Sequence, residues 1–358
     1  MTKPLLALGL MSGTSLDGID AALVRTDGGS IVEPGAHVSI SYKDDFRELL
    51  RSMLGGHGPV EETERKLTEL HADAVRSLIA EAGIQRSDVD LIGFHGHTVL
   101  HDPAQSRTWQ IGDGALLAKE TGIDVVCDFR SNDVEQGGQG APLVPIYHLA
   151  LAAGLKTPLA VLNIGGVANV TYLDDEEKSL VAFDTGPGGA LVDDWVNRKL
   201  GKPYDDGGII AAAGAISETV LMQLFGSAYF DRSPPKSLDR DEFDTRAVQR
   251  LSSEDGAATL TAFTLKSIVR AVDHLPMRPE RWLVTGGGRN NTFLMAQLRR
   301  DLSVPVDPVE SVGWQGDALE AQAFAYLAVR SRQGLPLTFP GTTGVSEPLS
   351  GGVYYSKP

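Results

Sequence analysis

Cysteine is almost absent: Cys127 is the single one in 358 residues. One thiol cannot form an intramolecular disulfide, and it cannot supply a cluster of thiolate ligands to a metal ion. The sequence therefore excludes a disulfide scaffold. It is typical of a protein from a reducing compartment, and we expect a cytoplasmic location.

Basic residues are also in short supply, with 32 Lys and Arg against 47 Asp and Glu and a formal net charge of −15. A charge of this sign repels a polyanion, so the sequence does not predict nucleic-acid binding. A ligand that carries phosphate would have to be held by backbone N–H groups and a few well-placed cations.

Long uninterrupted apolar runs are missing. The longest charge-free stretch, residues 136–155, contains several glycines and prolines and cannot form a spanning helix. The apolar run near the start, LLALGLM, is short and leads into a polar, glycine-bearing turn, so it is better explained by a buried strand than by a signal peptide. We therefore expect neither a membrane span nor an export segment.

Glycine, by contrast, is abundant: 40 of 358 residues, about 11%, without a collagen-like repeat. Such an excess is typical of turns and of close backbone approaches. The chain length allows two domains at about 150 residues each, and a hydrophobic fraction of 42% is ample for packed cores.

The order of predicted elements repeats along the chain. The first half opens with three strand-like runs, LLALGLM, IDAALV and HVSISY, followed by an amphipathic helix over 60–83 and by LIGFHG, TWQIGD, the helical GALLAKETG and IDVVCDF. After Thr157 the second half has the strand-like runs LAVLNIGG, ANVTYL, LVAFDTG and RWLVTGGG, with helical patterns near 189–200, 208–225, 256–272 and NTFLMAQLRRDL, and a last helix in GDALEAQAFAYLAVRSRQ. This repetition predicts an α/β protein with two duplicated lobes and an interlobe cleft.

The predicted boundaries follow from the same pattern. We assign residues 1–145 to a first lobe, which the C-terminal tail could also join, and residues 146–335 to a second lobe. Residues 336–358, rich in Pro, Gly, Ser and Thr, are predicted to be loop.

Three glycine turns each follow an apolar strand: MSGTSLDG at 11–18, NIGG at 163–166 and TGGGRNN at 285–291. Glycine at such places lets backbone N–H groups approach a phosphate. None of the three fits the P-loop or the dinucleotide-binding pattern. Simple tight turns are the alternative for each one, although hydroxyls at Thr14 and Ser15 and the carboxylate of Asp17, suited to hydrated Mg²⁺, favour the first as a phosphate loop.

The histidines raise a different hypothesis. His95 and His97 are two residues apart, which in a strand places both on one face, and His101 with Asp102 follows. That pattern is compatible with a metal-dependent hydrolase, but no later motif supplies the remaining ligands, and we expect no such protein-bound metal site. A binding protein without turnover is a further alternative.

Eight segments together resemble the anhydro-N-acetylmuramic acid kinase family. They are MSGTSLDGID, HGHTVLHDP, WQIGD, CDFRSNDVEQGGQGAPLVP, LNIGGVANVTY, AFDTGPGGALVDDW, PPKS and TGGGRNNTFLM, in family order from residue 8 to about 295. The resemblance implies actin-like, ribonuclease H-like lobes of the superfamily of sugar kinases, heat-shock ATPases and actin. It also implies an ATP- and Mg²⁺-dependent enzyme that hydrolyses the anhydro bond of 1,6-anhydro-N-acetylmuramic acid and phosphorylates its 6-oxygen in cell-wall recycling, and it leaves a homodimer open.

The resemblance also implies site residues. Asp184 matches the catalytic base, and Arg130 would pair with the lactyl carboxylate of the sugar unless it forms an internal ion pair with Asp133. Asp128 and Glu320 match further substrate-side positions, although a helix-surface carboxylate is the alternative for Glu320. Of the two histidines, His95 is the better candidate for lining the sugar pocket. The residues implied to bind ATP and its phosphates are Gly13, Thr14, Ser15, Leu16, Asp17, Gly18, Ile19, Asp20, Gly165, Gly166, Asn169, Gly286, Gly287, Gly288 and Asn290.

Two positions depart from the family pattern. The family usually has Gln where this chain has His97, and it commonly has Gly near Asp239. The role of His97 therefore stays open. Lys236, in the PPKS segment before the second departure, is interpreted as a solvated loop cation unless it has a role in the site.

Overall fold

The computed structural model describes residues 3–13, 16–174, 176–238 and 242–358. The strands are β1 (Leu5–Ser12), β2 (Gly18–Thr26), β3 (Val32–Ser41), β4 (Leu91–Asp102), β5 (Arg107–Ile111), β6 (Val125–Cys127), β7 (Leu159–Ile164), β8 (Val167–Leu173), β9 (Val181–Pro187), β10 (Arg281–Thr285), β11 (Val306–Pro308) and β12 (Val353–Tyr355). The α-helices are α1 (Asp44–Met53), α2 (Val60–Glu81), α3 (Gly114–Thr121), α4 (Ser131–Glu135), α5 (Pro145–Leu151), α6 (Ala190–Leu200), α7 (Ile209–Ala213), α8 (Glu218–Leu224), α9 (Ser253–Ala271), α10 (Thr292–Leu302), α11 (Leu319–Arg332) and α12 (Pro340–Thr343).

The chain divides into two compact units. The first comprises Met1–Gly154 and Ala318–Pro358, and the second comprises Leu155–Asp317. This division differs from the predicted boundaries at the C-terminal side, because α11 packs on β1, β2 and β4 of the first unit. The prediction had followed chain order and placed this helix in the second lobe.

The sheet of the first unit has the strand order β12-β6-β4-β1-β2-β3, and β5 pairs with β4. The predicted meander is confirmed, since β1 pairs with β2 and β2 with β3, both antiparallel. β4 runs parallel to β1 and to β6. The tail was predicted to be loop, which is wrong in part: it contains α12, and β12 pairs antiparallel with β6.

Helices cover both faces of this sheet. α2 presents Leu67, Val75 and Leu78 to a core that also contains side chains of β1, β2 and β4. On the other face, Gly9 and Gly93 allow α11 to approach the strands, because an added Cβ would lie 1.7 Å from the Ala321 carbonyl oxygen and 2.0 Å from that of Phe324. The contact between helix and strands therefore depends on these two glycines.

The sheet of the second unit has the order β11-β10-β7-β8-β9. Its antiparallel meander β7-β8-β9 is followed by the parallel strands β10 and β11, as β1-β2-β3 is followed by β4 and β6 in the first unit. The predicted duplication is confirmed by this shared order. α9 and α10 bury Leu265, Ile268 and Leu298 against one face of the sheet.

The pattern over 208–225 forms two short helices, α7 and α8, instead of one. Gly214 ends α7, and a Cβ there would lie 2.1 Å from the carbonyl oxygen of Glu254. Ser217 then caps α8 by accepting a hydrogen bond from the N–H of Val220. Within the described residues, none of these helices is long and apolar enough to cross a membrane.

Candidate active site

The first glycine turn joins β1 to β2. The N–H of Leu16 donates to the Gly13 carbonyl at 3.1 Å, and Leu16 has a left-handed backbone with φ +62°. A non-glycine residue in that conformation is strained, which is common at ligand-binding loops. The predicted Thr14 and Ser15 lie outside the described residues.

The end of the predicted phosphate loop belongs to β2. The side chain of Ile19 is buried in the core, so only its backbone is available for the predicted phosphate contact. Gly18 has no room for a side chain, since a Cβ would lie 2.2 Å from the Ile40 carbonyl oxygen. Asp17 is exposed, and the carboxylate of Asp20 accepts a hydrogen bond from the Ser39 hydroxyl at 2.5 Å.

Directly before this turn, buried hydrogen bonds link three side chains in a row, those of Tyr42, Ser12 and His97. The Ser12 hydroxyl is 2.7 Å from the Tyr42 hydroxyl and 3.0 Å from Nδ1 of His97. Burial lowers the pKa of His97 to about 4, so the ring is neutral at pH 7. The sequence left the role of His97 open, and the structure shows that its ring contacts Ser12, the residue directly before Gly13.

His95 and His97 do not share a face, contrary to the prediction from strand alternation. Gly96 between them has φ +74°, which breaks the alternation of β4. On the face covered by α11, the ring centre of His95 lies 4.6 Å from that of Phe324. His97 instead contacts Ser12, on the face where Leu8 and Leu10 of the same strand join the core beneath α2.

Both ring nitrogens of His95 are engaged. Nδ1 donates to the Gly96 carbonyl at 2.9 Å, and Nε2 accepts from Nε and Nη2 of Arg130 at 3.2 and 3.0 Å. Burial and the charge of Arg130 lower the pKa of His95 well below its usual value. His95 is therefore a neutral acceptor with its proton on Nδ1, and neither nitrogen can ligate a metal.

Arg130 forms no ion pair with Asp133. Its Nη1 donates to the Gly140 carbonyl at 2.6 Å, and Asp133 instead accepts from the Gly140 N–H and the Thr343 hydroxyl, both at 2.6 Å. Burial lowers the pKa of Arg130 to about 10, against the opposing effects of Glu320 and Asp133. Among the described residues, the partners of this cation within hydrogen-bonding distance are all neutral.

The other two predicted sugar contacts lie in the same unit. Asp128 has φ +55°, and its Oδ1 accepts from the Ser131 hydroxyl at 2.5 Å at the start of α4. Glu320 lies in the first turn of α11. Although Glu320 remains in contact with solvent, desolvation and then Asp20 raise its pKa, and Arg130 opposes them.

In the second unit a row of polar side chains crosses the sheet. Thr285 of β10 is aligned with Asn163 of β7, Asn163 with Asn169 of β8, and Asn169 with the predicted base Asp184 of β9. Aligned residues point to the same face of a sheet. The row lies at the sheet end where the two remaining glycine turns begin.

Asp184 is held by three neighbours. Its N–H donates to the Lys236 carbonyl at 3.0 Å, its Oδ2 accepts from the Leu238 N–H at 2.7 Å, and its carbonyl accepts from the Tyr229 hydroxyl. Burial raises the pKa of Asp184 to about 7, although the Leu238 N–H lowers it. A carboxylate with that pKa can exchange a proton near neutral pH.

The turn at Gly165 and Gly166 packs against the start of α6. The N–H of Gly188 donates to the Gly166 carbonyl at 2.9 Å, and the N–H of Gly189 donates to the Gly165 carbonyl at 2.7 Å. These bonds fix the hairpin relative to the helix. The N–H of Gly165 also donates, to the Val167 carbonyl at 3.2 Å, so the amides of Gly165, Gly188 and Gly189 are all engaged within the protein.

The third glycine turn follows Thr285. Gly286 has φ +74°, and a Cβ there would lie 2.4 Å from Oδ1 of Asn163, whereas Gly287 has nothing within 4 Å. Asn290 is exposed at the end of the turn. Arg289, which the sequence analysis missed, fixes the turn by donating to Glu310 at 2.8 Å and to Asp317 at 2.6 Å.

Lys236 is not a solvated cation, contrary to the interpretation from the sequence: only 7% of it is exposed. Its Nζ lies 4.7 Å from the centre of the Tyr229 ring and 3.4 Å from the Tyr229 carbonyl oxygen. Tyr229 was also missed, because it contacts Asp184 across 45 residues of sequence.

A metal-dependent hydrolase is not favoured by this arrangement. In the described ranges no group of three or more His, Cys, Asp or Glu side chains is placed to hold a metal ion. His95 is engaged at both ring nitrogens, and His97 turns to the other face of the sheet.

The duplicated strand order, with a glycine turn after each first strand, defines an α/β protein of the actin-like ATPase and sugar-kinase fold. The crystal structure of (R)-2-hydroxyglutaryl-CoA dehydratase component A from Acidaminococcus fermentans matches with a TM-score of 0.51, covering 92% of this chain and 99% of that chain at 12% identity. At that identity the likeness shows the fold alone.

The sequence comparisons then give the family. Residues 5–357 match the family model described as anhydro-N-acetylmuramic acid kinase. The chain is 57% identical to the anhydro-N-acetylmuramic acid kinase of Paramagnetospirillum magneticum, over 98% of this chain and 99% of that protein. It is 54% identical to that of Rhodospirillum rubrum, over 98% and 94%. The chain belongs to the anhydro-N-acetylmuramic acid kinase family, which confirms the resemblance found in the sequence.

Proposed function

We propose that this protein opens 1,6-anhydro-N-acetylmuramic acid with water and phosphorylates it at the 6-oxygen, with ATP as the phosphoryl donor. The family assignment supports the substrate and the kinase activity. The observation that carries the hydrolytic half is Asp184, a desolvated carboxylate with a pKa raised to about 7 at the end of the polar row.

Asp184 acts as the general base in this proposal. It takes a proton from a water molecule as that water attacks the anomeric carbon. The bond between the anomeric carbon and the 6-oxygen breaks, and the 6-oxygen forms a bond to the γ-phosphorus of ATP while ADP leaves. One water and one ATP are consumed, and N-acetylmuramic acid 6-phosphate, ADP and a proton are released.

Arg130 binds the lactyl carboxylate of the sugar. The support is a half-buried guanidinium whose described hydrogen-bond partners, His95 and Gly140, are neutral acceptors. A carboxylate ligand would supply the charge that these partners lack. Asp128 and Glu320 would bind sugar hydroxyls, and His95 would act by orienting Arg130.

ATP is proposed to bind the glycine turns. The turn after β10 supports this at Gly287, because nothing lies within 4 Å of the place where its Cβ would be and its backbone is open to a ligand. The other proposed contacts are Gly13, Leu16, Asp17, Gly18, Ile19, Asp20, Gly165, Gly166, Asn169, Gly286, Gly288 and Asn290.

Mg²⁺ fits the carboxylates of the first turn. The carboxylate of Asp17 is exposed and offers hard oxygen donors, which are the ligands that Mg²⁺ prefers, whereas the carboxylate of Asp20 is bonded to Ser39. When bound, the ion would neutralise charge on the ATP phosphates. The reaction belongs to peptidoglycan recycling, and we propose a cytoplasmic location for it; a homodimer remains a proposal from the family resemblance.

Phosphorus NMR tests the function. The purified protein, ATP and Mg²⁺ are incubated with anhydro-N-acetylmuramic acid, N-acetylmuramic acid or anhydro-N-acetylglucosamine. We expect a sugar phosphate resonance and equimolar ADP with the first sugar, and slower formation without the lactyl group. Absence of a sugar phosphate, with ATP bound and unchanged, would favour a binding protein without turnover.

A further inference from the structure

Lys236 is a buried cation with neutral surroundings at short range. Its Nζ contacts the ring face and the carbonyl oxygen of Tyr229, and no carboxylate of the described residues forms an ion pair with it. A buried ammonium group is costly, and an apolar side chain of similar length would fill this space without that cost. The ring face of an aromatic side chain attracts a cation, which offsets part of the cost.

Tyr229 connects this cation to Asp184. The residue is fully buried, and its hydroxyl donates to the backbone carbonyl of Asp184. One aromatic side chain therefore contacts Lys236 with its ring and Asp184 with its hydroxyl.

The backbone around Lys236 completes the arrangement. The Lys236 carbonyl accepts from the N–H of Asp184 at 3.0 Å, and two residues later the N–H of Leu238 donates to Oδ2 of Asp184 at 2.7 Å. The segment 236–238 thus bonds both the backbone and the carboxylate of Asp184.

Charged groups reach this cluster from the flanking loop and from α9. The charges of Asp231, Arg232 and Arg270 interact with Lys236, and those of Arg232 and Glu242 interact with Tyr229. Lys236 in turn helps to lower the pKa of His274, whose ring packs on Phe183 beside Asp184. Arg270 places its guanidinium over Phe225 and Phe230, at 5.6 and 5.5 Å from the ring centres.

We propose that Lys236 is a positioning residue that, by anchoring segment 236–238 to Tyr229, keeps the Leu238 N–H on the carboxylate of Asp184. The inference rests on the proposed function of Asp184 as the base. The Leu238 N–H stabilises the ionised carboxylate and opposes the effect of burial. Loosening this bond leaves a larger fraction of Asp184 protonated at neutral pH, and therefore inactive as a base.

The test compares pH profiles of kcat/KM for the wild type and Lys236→Met, which keeps most of the length of the side chain and removes the charge. We expect the acidic limb to move upward by about one pH unit, so that turnover at pH 7 falls about fivefold and recovers by about pH 9. Lys199→Met is the matched control, because Lys199 also lies over an aromatic ring, Trp195 at 4.6 Å, but on the exposed surface of α6. Its profile should match the wild type.

Tyr229→Phe tests the same link if Lys236→Met does not fold. It keeps the ring and removes the hydroxyl that donates to Asp184. We expect a smaller upward move of the same limb. An unchanged limb in a folded variant, or an equal loss of activity at every pH, would overturn the positioning role.

A carboxyl ¹³C titration of Asp184 separates this inference from the proposed function. A raised pKa in Lys236→Met supports the positioning role even if Asp184→Asn retains turnover, which would contradict Asp184 as the base. An unchanged pKa in Lys236→Met, together with an inactive Asp184→Asn, would overturn the positioning role and leave the proposed function standing.

Discussion

His95 holds Arg130 by accepting two of its N–H groups at one atom, Nε2, at 3.2 Å from Nε and 3.0 Å from Nη2. The ring can do this only when Nε2 carries no proton, and its lowered pKa keeps it in that state. Because Gly140 binds Nη1, the guanidinium is fixed in a single plane before any ligand arrives.

The first prediction concerns that guanidinium. Arg130→Ala should raise KM for the sugar by about 10- to 100-fold, the usual range for losing a charged hydrogen bond, and change KM for ATP by no more than about twofold. Arg130→Lys keeps the charge but cannot donate to His95 and Gly140 together, so it should recover only part of the affinity. Steady-state kinetics with each substrate varied measures both constants. An effect confined to ATP would contradict the assignment.

The second prediction concerns the pH dependence of the base. Asp184 must be ionised to accept a proton, so kcat/KM should rise with pH through about 7 and level off above it. Asp184→Asn should lower turnover by about 10² to 10⁴ while both substrates still bind. A flat profile between pH 5 and 9 at constant fold would argue against this base.

The same carboxyl group should reduce stability at high pH. Its pKa in the folded protein lies above its value in the unfolded chain, so the folded state binds more protons between about pH 4 and 7 and loses stability as the pH rises through that window. Asp184→Asn removes this loss. Its free energy of unfolding should therefore exceed that of the wild type at pH 8, with the difference shrinking toward pH 4. Urea titrations at both pH values measure it, and a variant less stable than the wild type at pH 8 would refute the expectation.

Much of this arrangement follows from local pattern, and the rest does not. The meander β1-β2-β3 and helix α2 were predictable because their apolar spacing extends over consecutive residues. The glycine turns were predictable because each consists of consecutive residues directly after an apolar strand. The packing of α11 on the first sheet was not, because its partners Gly9 and Gly93 lie more than two hundred residues earlier in the chain.

The site shows the same limit. The opposite orientations of His95 and His97 depend on the left-handed backbone of Gly96, which strand alternation cannot anticipate. The burial of Lys236 depends on Tyr229, and a lysine beside two prolines reads as loop until the ring beneath it is known. The family resemblance indicated Asp184 and Arg130, but not the residues that orient them.

The fourth prediction uses two adjacent glycines. Gly286→Ala should lower the free energy of unfolding by about 1 to 3 kcal/mol. The backbone conformation at this position is favourable only for glycine, and an added Cβ would collide with Asn163 and Ile164. Gly287→Ala, with nothing within 4 Å of its Cβ, should stay within about 0.5 kcal/mol of the wild type. Chemical denaturation of both variants makes the comparison. Equal effects would show that the turn adopts another conformation.

The fifth prediction concerns His97. His97→Ala removes one of the two buried hydrogen-bond partners of the Ser12 hydroxyl and leaves Tyr42 as the other, and it should cost about 1 to 3 kcal/mol of stability. His97→Gln offers an amide in place of the ring nitrogen and should lose less. If the chain of Tyr42, Ser12 and His97 supports the first phosphate loop, KM for ATP should rise in the Ala variant and stay near the wild-type value in the Gln variant. A higher KM for ATP in the Gln variant than in the Ala variant would show that His97 does not support the phosphate loop.

The central claim is that water attacks carbon while the 6-oxygen of the sugar attacks phosphorus. Turnover in water labelled with oxygen-18, followed by mass spectrometry and phosphorus NMR of the sugar product, tests it directly. We predict one label at the anomeric hydroxyl, scored before exchange with solvent, and none in the phosphoryl group, with both products absent in Asp184→Asn. Label in the phosphoryl group of the sugar product, or normal turnover by a folded Asp184→Asn variant, would contradict the mechanism.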